Sequence, residues 1–140
     1  MQDIHPEEHK PINNVLVVDD DDNWCFLTKL ILQKANIFRE ITIARNGQEA
    51  LNKIKALAAH GESLPELILL DIKMPVMDGF EFLEEIQKFP AINLSRTRIY
   101  LSTSSFLKTD KEKAQLYPVS GFITKPLTEE ILNDILADKK

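Results

Sequence analysis

The sequence predicts a doubly wound α/β fold, in which a parallel β-sheet carries helices on both faces. Five short apolar runs recur along the 140 residues, and each is followed by a helix-like segment. Because the apolar runs are continuous rather than alternating, they are typical of strands buried on both faces. Strand and helix alternate five times, which favours a five-stranded parallel sheet over hairpins.

The predicted strands deliver chemically useful residues to one edge of this sheet. They cover residues 15–18, 41–44, 67–70, 99–101 and 121–124. The first strand is followed by Asp19 and Asp20, the third by Asp71 and the fourth by Ser102, and the fifth runs into Lys125. Because open parallel sheets bind ligands beyond the carboxyl ends of their strands, these side chains are expected to lie together.

The predicted helices begin at recognisable caps. Helices are expected at residues 24–35, 47–59, 79–88 and 106–116 and after Thr128. Asn46 suits the N-cap of the second helix, with Glu49 three residues on, and Asp78 suits the N-cap of the third. The helix at 106–116 is highly charged and has little to bury, so it is expected to be the loosest element.

The first helix has a predicted buried face and lies next to the acidic residues in the sequence. Its apolar residues at helical spacing are Trp24, Leu27, Ile31 and Ala35. Cys25 is expected to be a buried structural thiol.

The bulk composition limits the possible partners. A net charge of −5 argues against binding to a nucleic-acid backbone, which needs clustered basic residues. The single cysteine excludes an internal disulfide and suits a reducing compartment. No apolar run could span a bilayer or serve as a signal peptide. We therefore expect a cytoplasmic protein with no membrane partner.

Residues 1–12 are expected to form a flexible tail, whose His5 and His9 are not expected to bind metal.

The expected cluster of acids and one lysine suits a metal ion and phosphoryl transfer. Crowded carboxylates raise one another's pKa unless a cation joins them, and Mg²⁺ prefers carboxylate and carbonyl oxygens. A carboxylate such as Asp71 can also act as a nucleophile and form an aspartyl phosphate. The charge on the phosphoryl oxygens would then be met by the metal, Lys125 and the Ser102 hydroxyl.

Four motifs in this chain resemble those of the two-component response-regulator receiver domain, the CheY-like family. They are VVDD at residues 17–20, LLDIKMPVMDG at 69–79, LST at 101–103 and TKPL at 124–127. The resemblance implies a receiver domain over residues 13–138, with the strand order 2-1-3-4-5. Because 140 residues leave no room for a second domain of ordinary size, no output domain is expected. Together the motifs are far more specific than any one of them.

The resemblance also implies which residues hold the phosphoryl group and the metal ion. Asp71 matches the phosphoacceptor. Asp20 matches a direct metal ligand, and Asp19 matches the residue that holds a metal-bound water. The backbone carbonyl of Lys73 matches the remaining protein ligand. The implied cofactor is Mg²⁺ or Mn²⁺.

Further matches imply a conformational switch. Ser102 matches the hydroxyl that moves toward the phosphoryl group, although threonine is commoner there, and Lys125 matches the lysine that pairs with that group. Phe122 matches the switch aromatic, and Pro126 matches a proline that often follows a cis peptide bond. Thr103 stands where a small residue is commoner and is expected to affect phosphodonor access. The surface expected to change comprises the fourth helix, the fifth strand and the fifth helix.

The implied partners are those of a signalling protein. A histidine kinase or a histidine phosphotransfer protein would phosphorylate the chain. The chain would then bind a downstream effector protein or relay the phosphoryl group to a histidine. It would catalyse its own phosphorylation and slow dephosphorylation without being a turnover enzyme. A monomer and a phosphorylation-dependent dimer both remain open.

Three other functions are compatible with some of these features. A phosphorylation-independent protein-binding module could use the same fold. A phosphohydrolase with an aspartate nucleophile and Mg²⁺ would need a second acid two residues after Asp71, where Lys73 stands instead. A dinucleotide-binding domain is disfavoured because aspartates, rather than a glycine-rich turn, follow the first strand.

Overall fold

The computed structural model describes residues 12–137, in which strands and helices alternate from the first element to the last. The strands are β1 (Ile12–Val18), β2 (Phe38–Ala44), β3 (Leu67–Asp71), β4 (Arg98–Thr103) and β5 (Gly121–Thr124). The helices are α1 (Asp22–Ala35), α2 (Gly47–Ala59), α3 (Gly79–Ile86), α4 (Lys108–Ala114) and α5 (Glu129–Ala137). This alternation confirms the predicted α/β class. Residues 1–11, which hold most of the predicted tail with His5 and His9, lie outside the described part.

All five strands join one parallel sheet in the order β2-β1-β3-β4-β5. The strand order implied by the family resemblance is therefore confirmed. The strand order reverses between β1 and β3, since β2 lies on one side of this pair and β4 and β5 lie on the other, and the ends of β1 and β3 therefore form the topological switch point. Asp71 at the end of β3 is aligned with Ser102 in β4. The sheet thus brings the acidic and hydroxyl residues to one edge.

Two apolar cores cover the two faces of the sheet. On one face, alternate residues of β1 and β3 pack against α2 and α3, with Phe82 and Ile54 fully buried. On the other face, the remaining strand residues pack against α1 and α5, with Leu32 fully buried and Leu132 nearly so. Burial of this apolar surface is the main force that holds the strand ends in place.

The helix caps follow the predictions closely. The side chain of Asn46 accepts a hydrogen bond from the backbone N–H of Glu49 at 2.8 Å. Asp78 and Glu81 form a reciprocal capping box at the start of α3. The hydroxyl of Thr128 accepts from the N–H of Ile131 at 3.1 Å. These caps satisfy N–H groups that the first turn of a helix leaves without partners.

Several predicted boundaries were wrong by a few residues. β1 and β2 each begin three residues before the predicted start, and α4 covers only seven residues. Ile12, assigned to the tail by the sequence analysis, is the first residue of β1 and is buried. Element ends are set by pairing with neighbours as much as by local sequence, so such shifts are expected.

The predicted buried face of α1 was also wrong in part. Trp24 is buried, but Leu27 is 53% exposed, and the buried face continues through Cys25, Thr28 and Leu32. The prediction followed apolar side chains only, whereas the observed face includes the Thr28 hydroxyl group. The predicted burial of Cys25 is confirmed.

No helix within residues 12–137 is long and apolar enough to cross a membrane.

Candidate functional site

Three carboxylates meet at the carboxyl ends of β1 and β3. Asp19, Asp20 and Asp71 each place a carboxylate oxygen within 4.8 Å of the others. Asp19 is fully buried, Asp71 is 5% exposed and Asp20 is open to solvent. Such a cluster offers hard oxygen ligands with one side facing solvent, which suits a divalent cation that keeps some of its water.

The position of Asp19 is set by hydrogen bonds from both sides. Its backbone N–H donates to the carbonyl of Ala44 at 3.0 Å, which extends the β1–β2 pairing by one residue. Its Oδ1 atom accepts from the backbone N–H of Asp21 at 2.9 Å. The Asp19 carboxylate is therefore held in place on the buried side of the cluster.

Lys125 supplies a positive charge to the site. Its Nζ atom lies 2.5 Å from Oδ2 of Asp19 and 3.6 Å from Oδ1 of Asp71. Its backbone N–H donates to the carbonyl of Thr103 at 2.9 Å, which ties the loop after β5 to the end of β4. The Lys125–Pro126 peptide bond is cis, as the sequence analysis anticipated for this position. The ammonium group is thus shared unequally by two buried carboxylates.

The electrostatics of the cluster favour an additional cation. Burial, reinforced by the charge of Asp19, raises the pKa of Asp71 to about 6, against the opposing effect of Lys125. Burial also raises the pKa of Asp19, against the hydrogen bond from Lys125. Both shifts mean that ionised carboxylates are disfavoured here, since they are desolvated and repel one another. A bound divalent ion would relieve that repulsion, so the residues present fit such an ion.

The loop between β3 and α3 closes tightly over the backbone of Asp71. A Cβ atom at Gly79 would lie 2.4 Å from the carbonyl oxygen of Asp71, and the Gly79 N–H donates to the carbonyl of Ile72 at 2.9 Å. Gly47, at the start of α2, donates to the carbonyl of Met77 at 2.8 Å, and a Cβ there would lie 2.7 Å from the same oxygen. Two glycines therefore allow the loop to pack. The packing role of Gly47 was not predicted from the sequence, where its position after the N-cap residue Asn46 is the only signal.

The predicted hydroxyl and aromatic residues of the site differ in their exposure to solvent. Ser102 is fully buried, and its Oγ atom has no hydrogen-bond partner among the described residues. Thr103 is buried beside it. Phe122 is 41% exposed and packs edge-on against Phe106, with 5.0 Å between ring centroids and an interplanar angle of 83°. Lys73 is exposed, in the loop that follows β3.

The other two aspartates of the acidic run stay out of the cluster. Asp21 caps α1 by accepting from the backbone N–H of Trp24 at 3.1 Å. Asp22 is the first residue of α1 and forms an ion pair with Arg45. For these two residues the simpler interpretation, that acids suit the positive end of a helix, describes what is seen.

The comparisons with known proteins agree with this geometry. The model of the response regulator receiver domain family matches residues 15–137. The chain is 33% identical to the chemotaxis protein CheY of Halobacterium salinarum over 124 residues, covering 89% of this chain and 93% of that protein. It is 30% identical to the sensor histidine kinase CheAY of Helicobacter pylori, but spans only 14% of that protein's length, against 87% of its own.

A solved structure shows the same fold. The two-component response regulator from Cytophaga hutchinsonii superposes with a TM-score of 0.81 at 31% identity, covering 90% of this chain and 95% of that one. The family match, the fold and the acidic cluster at the switch point therefore support the same family assignment. The chain belongs to the response regulator receiver domain family.

Proposed function

We propose that this chain is a phosphorylation switch that accepts a phosphoryl group on Asp71. The observation that supports this most strongly is the placement of the Asp71 carboxylate. It lies at the end of the central strand β3, beside two further acids, and 3.6 Å from the only lysine ammonium with a described ion pair to this cluster. A nucleophilic carboxylate needs neighbours of this kind, because the incoming group carries negative charge.

The proposed transfer starts from a phosphohistidine donor. A carboxylate oxygen of Asp71 attacks phosphorus, the bond from phosphorus to the donor imidazole nitrogen breaks, and the leaving imidazole takes up a proton. Lys125 and the Ser102 hydroxyl are proposed to meet the charge on the phosphoryl oxygens. The unpartnered Oγ atom of Ser102 supports this role, since a buried hydroxyl without a partner is unfavourable until it finds an acceptor. The chain would assist its own phosphorylation and slow dephosphorylation, and would not turn over external substrates.

Mg²⁺ or Mn²⁺ is the proposed cofactor. Asp20 and Asp71 would be direct ligands, the backbone carbonyl of Lys73 would be a third, and Asp19 would act through a water molecule. When bound, the ion would neutralise charge on the carboxylates and on the phosphoryl oxygens. The exposed side chain of Asp20 supports a direct role, because it leaves the cluster open to a hydrated ion.

The signal is proposed to leave through α4, β5 and α5. Movement of Ser102 toward the phosphoryl group would vacate space behind it, and Phe122 would turn inward to fill that space. The exposure of Phe122 and its contact with Phe106, just before α4, support such a link between the site and this surface. The two positions of the ring would form one two-state element biased by phosphorylation.

The proposed domain covers residues 13–138, and its partners are proposed by class. A histidine kinase or a histidine phosphotransfer protein would supply the phosphoryl group, and a downstream effector would read the switched surface. Relay to a histidine is the alternative outcome. A long-lived aspartyl phosphate would favour the switch, and rapid return of the phosphoryl group to histidine would favour the relay. Dimerisation on phosphorylation is a further proposal that gel filtration would test.

The deciding experiment is intact mass spectrometry after incubation with acetyl phosphate and Mg²⁺. We expect one phosphoryl group on the native protein and on Asp134→Asn, which alters an exposed aspartate of α5, and none on Asp71→Asn. If the native protein shows no adduct, binding of beryllofluoride separates a short-lived phosphate from an inactive site. Failure of both measurements would favour a protein-binding module that works without phosphorylation.

A further inference from the structure

The ammonium group of Lys125 faces an aromatic ring as well as two carboxylates. Its Nζ atom lies 5.0 Å from the centroid of the Trp24 ring, within the range of a cation–π interaction. Trp24 is 7% exposed and the Lys125 side chain is 18% exposed. Because both groups are largely removed from water, the attraction is stronger here than between exposed side chains.

This contact closes a ring of four interactions. Oδ1 of Asp19 accepts from the N–H of Asp21, and Oδ1 of Asp21 accepts from the N–H of Trp24. The Trp24 ring faces Lys125, and Lys125 returns to Oδ2 of Asp19 at 2.5 Å. The first turn of α1 is therefore joined to the loop after β5 through both charge and packing.

We propose that Trp24 is a positioning residue for Lys125, and that its indole ring keeps the lysine ammonium between Asp19 and Asp71. This inference rests on the proposed phosphoacceptor function of Asp71. Lysine has a flexible stem with four carbons, so the ammonium can leave a pocket unless several contacts hold it. The backbone bond from Lys125 to Thr103 fixes the start of this stem but not its end.

The ring contact differs from the ion pairs because it does not depend on the charge state of the cluster. Nζ lies closer to Asp19 than to Asp71, so it has to shift when a phosphoryl group on Asp71 becomes its partner. A divalent ion in the cluster would also weaken its attraction to the carboxylates. The indole ring keeps the ammonium in the pocket through both changes.

The first test uses the metal-free protein and does not depend on phosphorylation. In NMR spectra, the Hε protons of Lys125 should be shifted upfield by the Trp24 ring current. We expect this shift to be lost in Trp24→Leu and partly retained in Trp24→Phe. The matched control is Phe89→Leu, which removes the ring that faces Lys55 at 4.5 Å and should leave the Lys125 signals unchanged. Unchanged Lys125 signals in Trp24→Leu would overturn the proposed contact.

The second test is a double-mutant cycle on the rate of phosphorylation by acetyl phosphate. We expect Trp24→Leu to slow the reaction about two- to thirtyfold, the range that a cation–π contact supplies, and Trp24→Phe to slow it less. In a Lys125→Met background, Trp24→Leu should have almost no further effect, because its target is gone. An equal slowing in both backgrounds would show a merely structural role and overturn the proposal. If the native protein takes no phosphoryl group at all, the proposed function fails, while the NMR test still decides the contact.

Discussion

Gly79 packs directly against the backbone of Asp71, so closely that a methyl group at Gly79 would lie 2.4 Å from the Asp71 carbonyl oxygen. The contact joins the first residue of α3 to the last residue of β3, across the loop that contains Lys73. The shape of this loop therefore depends on the absence of a side chain at one position. The proposed third metal ligand, the carbonyl of Lys73, belongs to the same loop.

Gly79→Ala is expected to disturb the site and the fold together. Because the obstructing atoms belong to the backbone, they cannot move aside as a side chain could, and the loss of stability should be about 1–3 kcal/mol. Mg²⁺ affinity, measured by titration calorimetry, should fall as well. Gly61→Ala is the control. Gly61 has a φ of 67° but no atom within 4 Å of its Cβ position, so this substitution should lower the stability of the protein without changing its Mg²⁺ affinity. Equal Mg²⁺ affinities in native protein and Gly79→Ala would contradict this account of the loop.

Asp71→Asn is expected to stabilise the metal-free protein at neutral pH. The pKa of Asp71 rises from the ordinary 3.8 to about 6 in the folded state, mainly through burial, so the folded protein holds this proton more tightly than the unfolded chain does. Ionisation above pH 6 therefore destabilises the native protein, and removing the charge should gain about 1–3 kcal/mol at pH 7.5. Urea unfolding in the presence of EDTA measures this difference.

The same linkage sets the pH dependence of that gain. As pH falls from 6 toward 4, the native carboxyl becomes protonated, and its penalty disappears. The advantage of Asp71→Asn should shrink over this range and vanish near pH 4. A constant difference from pH 4 to 8 would mean that the charge of Asp71 is not responsible.

Asp20→Asn should weaken Mg²⁺ binding while leaving the fold intact. The Asp20 side chain is exposed, so its substitution removes a ligand without emptying space in the core. A loss of about tenfold or more is expected, since even outer-sphere partners of a metal have effects of this size. The measurement is titration calorimetry with Mg²⁺, with Asp134→Asn as the matched exposed control. Unchanged affinity in Asp20→Asn would exclude it as a direct ligand.

Cys25 is expected to react slowly with thiol reagents in the folded protein. Burial, with a further contribution from Asp19, raises the pKa of its thiol to about 11, and the S–H donates to the Asp19 carbonyl at 3.3 Å. The thiolate is the reactive form, so little is available at pH 8. Reaction with a disulfide reagent should become fast only after addition of urea. Fast labelling of the folded protein would show that the first turn of α1 opens readily.

The order of the elements and the positions of the polar residues at the strand ends can be predicted from the amino-acid sequence. These features depend on local patterns: apolar runs mark the strands, and Asn46 and Asp78 cap helices through bonds to residues three positions away. Their prediction needed no knowledge of distant neighbours. The placement of the two acids that follow β1 and the acid that ends β3 at one edge also needed the general rule that parallel strands end at the same edge of a sheet.

The interactions among the residues at that edge, in contrast, depend on how the chain packs in three dimensions. The buried face of α1, the raised pKa of Asp71 and the unequal sharing of Lys125 by two carboxylates all depend on distances between residues far apart in the chain. The position of Trp24 illustrates this: its sequence placed it near the acids, but only packing of α1 against the loop after β5 brought its ring over the Lys125 ammonium. Contact energies and desolvation follow these distances, and no local pattern encodes them.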